Sequence, residues 1–121
     1  MTFYSQCSED KILYEKYFKN YSLEGKKFYL EMGAIDGIMY SNTKFYEDTL
    51  GWSGILVEPN PYMFTQLINN RPNNKLLNVL CSDIKDSLIF NVCSIPAVSS
   101  VEITKPDNFD RIYYNHSIDK E

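Results

Sequence analysis

The sequence is poor in several features, and each shortage narrows what the protein can do. No apolar run approaches the ~18 residues that span a bilayer. The stretch from Met1 to Asp10 has no cationic start followed by an apolar segment, so it does not read as a signal peptide. No basic stripe exists beyond Lys26-Lys27, and 12 Lys+Arg against 16 Asp+Glu leave a formal charge of −4. That balance argues against a protein that grips a phosphate backbone. Histidine occurs once, at His116, and the three cysteines, Cys7, Cys81 and Cys93, form no Cys-x-x-Cys pair. A zinc site needs about four closely spaced ligands, and this set does not supply them. With no export signal, a reducing cytoplasm is the expected compartment.

A length of 121 residues allows one domain at most. A hydrophobic fraction of 44% with 23% charged residues is that of a globular chain rather than a disordered one. Ser8-Glu9-Asp10 predicts a capped helix carrying Ile12, Leu13, Tyr17 and Phe18, fading near Asn20. Lys27 to Gly33 is short, apolar and aromatic, which predicts a strand. Ser41-Asn42-Thr43 offers a cap for a helix with Phe45, Tyr46 and Leu50, stopped by Gly51. Gly54 to Glu58 predicts a second strand, and its lack of alternation implies burial on both faces. Asn60-Pro61 then starts a helix with Phe64, Leu67 and Ile68 on its apolar face. Residues 75–81 predict a third strand and 87–93 a smaller fourth. Strands alternating with helices in this way predict an α/β fold with a parallel βαβαβ core.

In an open α/β sheet, ligands bind beyond the carboxyl ends of the strands. The first strand runs out through Glu31, Gly33, Asp36 and Gly37, the second through Glu58-Pro59-Asn60, and the third through Ser82-Asp83. Glu58 lies 21 residues past Gly37. A nucleoside-binding fold places a ribose-binding acid about 20 residues past its glycine turn. A pyrophosphate cofactor calls for G-x-G-x-x-G, so that backbone N–H groups can approach the phosphates. Here only Gly33 and Gly37 are present, flanked by Glu31 and Asp36. Those acids repel a pyrophosphate and suit the sulfonium and ammonium of S-adenosylmethionine (SAM). On charge alone they favour SAM over NAD.

The motifs also resemble those of a known family. Ser5-Gln6 with Glu9-Asp10-Lys11, then Glu31-x-Gly33-Ala34-x-Asp36-Gly37, Ser41-Asn42-Thr43, Gly51-Trp52-x-Gly54 through Glu58-Pro59-Asn60-Pro61, Asn70-Arg71-Pro72, Ser82-Asp83 and Ser99-Ser100 resemble the FkbM family of SAM-dependent methyltransferases. The likeness covers most of residues 5–100. It implies a class I methyltransferase (Rossmann-like) fold and O-methylation of a hydroxyl on a sugar or natural-product-like acceptor. It also implies that Glu31, Gly33, Asp36 and Gly37 form the cofactor loop, that Glu58 holds the ribose, and that Ser82 and Asp83 lie beside the adenine. Gln6 and Asn42 would stand at the rim. No catalytic base and no metal site follow from these residues. After the double serine the chain departs from the family pattern, so the expectation is an amino-terminal, incomplete methyltransferase domain. Its first strand would then be an open sheet edge, and SAM binding would be weak unless a partner chain completed the sheet.

Blander alternatives stand beside these assignments. Asp36-Gly37 is also a hairpin turn signal. Glu58 could simply lead into a helix, and Ser82-Asp83 could be a solvated turn. Trp52 reads as a packing residue, Cys81 as a small apolar residue ending a buried strand, and His116 as a surface residue. A non-enzymatic alternative is a split half-domain acting as a SAM-binding or scaffolding subunit. A nicotinamide oxidoreductase requires the glycine loop that is missing.

Overall fold

A computed structural model of the chain describes residues 1–20, 27–83, 90–93, 100–101 and 117–120. His116 lies outside them, as do residues 87–89 of the expected fourth strand. The chain forms two compact units, Met1–Val79 and Leu80–Glu121.

The first unit is a βαβαβ motif preceded by a helix. Strand β1 (Phe28–Met32) leads to helix α2 (Lys44–Leu50), β2 (Ser53–Val57), α3 (Pro61–Asn70) and β3 (Lys75–Leu77). The three strands are parallel in the order β1-β2-β3, with Leu30 opposite Ile55 and Ile55 opposite Lys75. This is the α/β fold that the alternation predicts, and it replaces the hairpin at Asp36-Gly37. Helix α1 (Glu9–Leu13) runs on through a π-helical turn over Tyr14–Phe18.

Local chemistry explains most boundaries. The Asn60 side chain accepts from the N–H groups of Tyr62 and Met63, and Pro61 supplies the first helical residue of α3. Gly51 ends α2 in the left-handed region at φ 70°. Ser8 does not cap α1: it sits at φ 64° and makes no side-chain bond to the helix. Ser5 does so instead, its Oγ accepting from the Asp10 N–H at 3.1 Å. Strand β3 is shorter than expected. After Leu77, the Asn78 side chain turns back and donates to the carbonyls of Glu58 (2.8 Å) and Pro59 (3.1 Å). Cys81 is therefore outside the strand and exposed, not buried at its end.

Among the described residues two clusters form the core of the first unit. Leu56, Leu67 and Ala34, with Tyr29, Phe64 and Leu76 against them, pack α3 on one face of the sheet. Phe45, Tyr46 and Trp52 pack with Phe3, Tyr14 and Phe18, tying the amino-terminal helix to α2. Tyr46 and Trp52 stack at 4.9 Å between ring centroids, so Trp52 is a packing residue as expected. The opposite sheet face is open along β1: Phe28, Leu30 and Met32 are 80%, 62% and 64% exposed. Ile55 beside them is 40% exposed, so β2 is not buried on both faces as its apolar run implies. Among the described residues, β1 pairs only with β2 and is a sheet edge.

The second unit holds an antiparallel sheet of β4 (Phe90–Cys93), β5 (Ser100–Val101) and β6 (Ser117–Lys120), with β4 in the middle. Among the described residues, no helix is long and apolar enough to cross a membrane.

Candidate functional site

Parallel pairing brings the carboxyl ends of β1 and β2 side by side, and the loop from Gly33 to Thr43 crosses there. The N–H groups of Gly33 and Ala34 both donate to the Val57 carbonyl, at 2.8 and 3.0 Å. Gly33, Ile35 and Gly37 have φ of 76°, 54° and 86°, so alternate residues of the turn are left-handed. For a β-branched residue such as Ile35 that conformation is a true outlier. Such strain persists only where its surroundings over-determine it.

Glu58 is one of those surroundings. It is 5% exposed at the end of β2, with Oε1 accepting from the Ile35 N–H and Oε2 from the Asn60 N–H, both at 2.8 Å. One carboxylate thus joins the strained turn to the start of α3. Burial pushes its carboxyl above the usual carboxylate range, and the two backbone donors partly offset that. Each oxygen keeps a further acceptor position beyond the bond it makes.

The two glycines differ in what surrounds them. A Cβ on Gly33 would meet nothing within 4 Å, and Gly33 is exposed at the carboxyl edge of the sheet. A Cβ on Gly37 would lie 2.6 Å from Arg71 Cγ and 2.7 Å from Leu67 Cδ1. Gly37 is therefore required by the close approach of α3, and Gly33 alone leaves room for a ligand against the backbone.

The remaining acids of the loop already have partners. Glu31 is buried, with Oε1 accepting from the Asn42 N–H at 2.7 Å and Oε2 from the hydroxyls of Ser41 (3.0 Å) and Thr43 (2.5 Å). Asp36 Oδ1 accepts from the N–H groups of Ile38 (2.9 Å) and Met39 (2.8 Å), closing a local turn. Ser41-Asn42-Thr43, expected as a helix cap, does more than cap. Ser41 Oγ does accept from the Lys44 N–H at 3.0 Å, and the same two hydroxyls also bind the fully buried Arg71.

Glu31, Gly33, Asp36, Gly37 and Glu58 thus gather around one loop. Ser82 and Asp83 belong to the second unit, are exposed, and follow Leu77 by five and six residues instead of ending β3. Gln6 is exposed, and Asn42 Oδ1 accepts from the Ser5 hydroxyl at 2.6 Å, joining the amino-terminal segment to the loop. The sequence pattern does not mark Ile35 or Arg71 as site residues. Nothing in composition or periodicity marks a positive φ, and Arg71 reads there as the polar end of a helix. A shallow pocket of about 380 Å³, lined by Glu47, Gly51, Trp52, Ser53 and Asn73, lies at the amino end of β2, opposite to Glu58. Among the described residues no group of His, Cys, Asp and Glu is arranged to hold a metal ion.

No protein-family model, curated protein or solved structure matches the chain.

Proposed function

We propose that the carboxyl edge of β1 and β2 is a SAM site, and that the chain is the cofactor-binding part of a class I O-methyltransferase of FkbM type acting in the cytoplasm. The observation that carries this reading is the open, left-handed Gly33 at the tip of β1, beside a β2 that ends in the buried acid Glu58. The residues fit the group in two respects. Gly33 lets a ligand approach the backbone, and the acids Glu31, Asp36 and Glu58 surround the turn while the guanidinium behind it, Arg71, is buried and already paired with Glu47, which suits a cation and opposes a phosphate. Glu58 would accept from the ribose hydroxyls with the acceptor positions its backbone partners leave.

When bound, SAM supplies an electrophilic methyl group. The acceptor hydroxyl oxygen would form the new C–O bond as the donor's C–S bond breaks, with S-adenosylhomocysteine leaving and the hydroxyl proton passing to a base or to water. The sulfonium is already a strong leaving group, so most of the protein's work is placement of the acceptor oxygen. The acceptor is a small-molecule or glycan hydroxyl, and neither a nucleic acid nor a membrane is a partner in this reading.

The test is thermal melting with S-adenosylhomocysteine, the demethylated product. Wild type should shift upward, since a ligand that binds only the folded state raises its stability. Glu58→Ala should show no shift. No shift in wild type, or equal shifts in both proteins, removes the assignment. A second reading, a scaffolding or split subunit whose site is completed by another chain, is favoured by the open apolar edge of β1. Cofactor binding that appears only on addition of a second chain would select it.

A further inference from the structure

We propose that Asn70 and Arg71, at the carboxyl end of α3, are positioning residues that hold the glycine turn in its ligand-accepting shape. This inference rests on the SAM reading of the site. Asn70 Nδ2 donates to the Asp36 carbonyl at 2.8 Å, and Arg71 Nη1 donates to the Gly37 carbonyl at 2.9 Å. Two successive residues of one helix end thus grip two successive carbonyls of the turn. Its three left-handed residues have no repeating ladder to hold them, so an external grip is needed.

The grip is anchored on charge. Arg71 is 0% exposed and forms an ion pair with Glu47. Its Nη1 also reaches Ser41 Oγ at 3.2 Å, and its Nη2 reaches Thr43 Oγ1 at 3.1 Å. Those hydroxyls in turn donate to Glu31 at the root of the loop. Arg71 and Glu31 are therefore joined through two hydroxyls, one charge behind the glycine turn and the other below it. The planar guanidinium fork serves the Gly37 carbonyl, Ser41, Thr43 and Glu47 at once, a geometry that a lysine ammonium cannot reproduce. The missing Cβ of Gly37 is what lets Arg71 come this close.

The experiment compares wild type with Asn70→Ala and Arg71→Lys. Asn70 is only half-buried, so Asn70→Ala removes one bond from a protein that stays folded. Affinity for S-adenosylhomocysteine is measured by calorimetry, and amide hydrogen exchange is read at Gly37, Ile38 and Met39 against Leu56 and Val57 in β2. Asn70→Ala should weaken affinity by about two- to tenfold, the scale of one hydrogen bond. It should speed exchange in the loop while leaving β2 unchanged, and Arg71→Lys should act in the same direction more strongly. Equal affinity in Asn70→Ala and wild type overturns the proposal, whatever the loop exchange does. Exchange that quickens equally in β2 overturns it as well, by showing a role in the fold alone. A wild type that does not bind at all fails the SAM reading itself, a result distinct from a wild type that binds no better than its variant.

Discussion

Ile35 and Glu58 depend on each other. The left-handed Ile35 presents its N–H to a carboxylate that is almost fully buried, and that carboxylate is the nearest thing to a fixed anchor in the loop. Because burial raises the Glu58 carboxyl, the folded state holds that proton more tightly than the unfolded chain does. Glu58 thus contributes stability below its unfolded pKa, and that contribution is lost as pH rises through the folded pKa. Cofactor affinity should run the other way, since ribose hydroxyls need the ionised form. Calorimetry from acid to neutral pH should show S-adenosylhomocysteine binding strengthen with a midpoint above the ordinary 4.5 of a glutamate. A Glu58→Gln profile that is equally steep would contradict this.

The glycine pair gives a second residue-level prediction. Gly33→Ala should cost only about 1–2 kcal/mol for the left-handed backbone, yet remove cofactor binding by filling the open space. Gly37→Ala should destabilise more, by about 2–4 kcal/mol, because it adds an overlap with Arg71 and Leu67 to the same strain. Chemical denaturation with and without S-adenosylhomocysteine separates the two. Asn91 supplies a third case: it is 0% exposed in β4, and among the described residues neither its Nδ2 nor its Oδ1 has a hydrogen-bond partner. A buried carboxamide so placed costs about 1–3 kcal/mol. Asn91→Leu should therefore raise the melting temperature, and an unchanged or lower value would mean that the carboxamide is satisfied in solution.

At the level of elements, helix α3 links the two ends of the site. Its start is capped by Asn60, whose own N–H donates to Glu58, and its end carries Asn70 and Arg71 against the loop. Asn60→Ala should cost about 1 kcal/mol from the lost cap, read as an earlier urea midpoint with an unchanged slope. Much of α3 was legible in sequence. Asn60-Pro61 marks its start by residue chemistry, and Leu67 and Phe64 recur at helical spacing. The departures from the sequence pattern come from partners outside the segment concerned. Ser8 has the composition of a cap but a left-handed backbone, so Ser5 takes the role from outside the helix. The third strand stops early because Asn78 bonds to carbonyls 19 and 20 residues earlier in the chain, contacts that a window along the chain does not see.

For the whole molecule, the decisive feature is the apolar edge at β1. Long apolar edges pair with other strands and promote association. Phe28 and Leu30 lie at this edge on the uncovered face, with Met32. Leu30→Lys should lower self-association or aggregation in light scattering while leaving the melting temperature within about 0.5 kcal/mol equivalent, the usual scale for an exposed position. Unaltered scattering would place the sticky surface elsewhere. A tyrosine on the buried face of α2 shows the opposite environment. Tyr46 is 4% exposed and donates to the Asp10 carbonyl at 2.8 Å, and burial with the nearby Asp10 charge pushes its hydroxyl up to about 12.

By itself the sequence determined the α/β alternation, the parallel order of three short strands and the cap at Asn60, because hydrophobic period and cap chemistry are properties of neighbours in the chain. It also brought Glu58 into register with the glycine turn, since the length of a βαβ unit sets which strand tips meet. Only the tertiary structure decided which glycine faces open space, that Ile35 is left-handed, that Glu31 is spent on Ser41, Asn42 and Thr43, and that Arg71 is buried behind the turn. Those outcomes depend on groups about 10 to 40 residues apart competing for the same few donors and acceptors. Such a competition is settled by where the packed helices place the atoms, and no local pattern of residues encodes it.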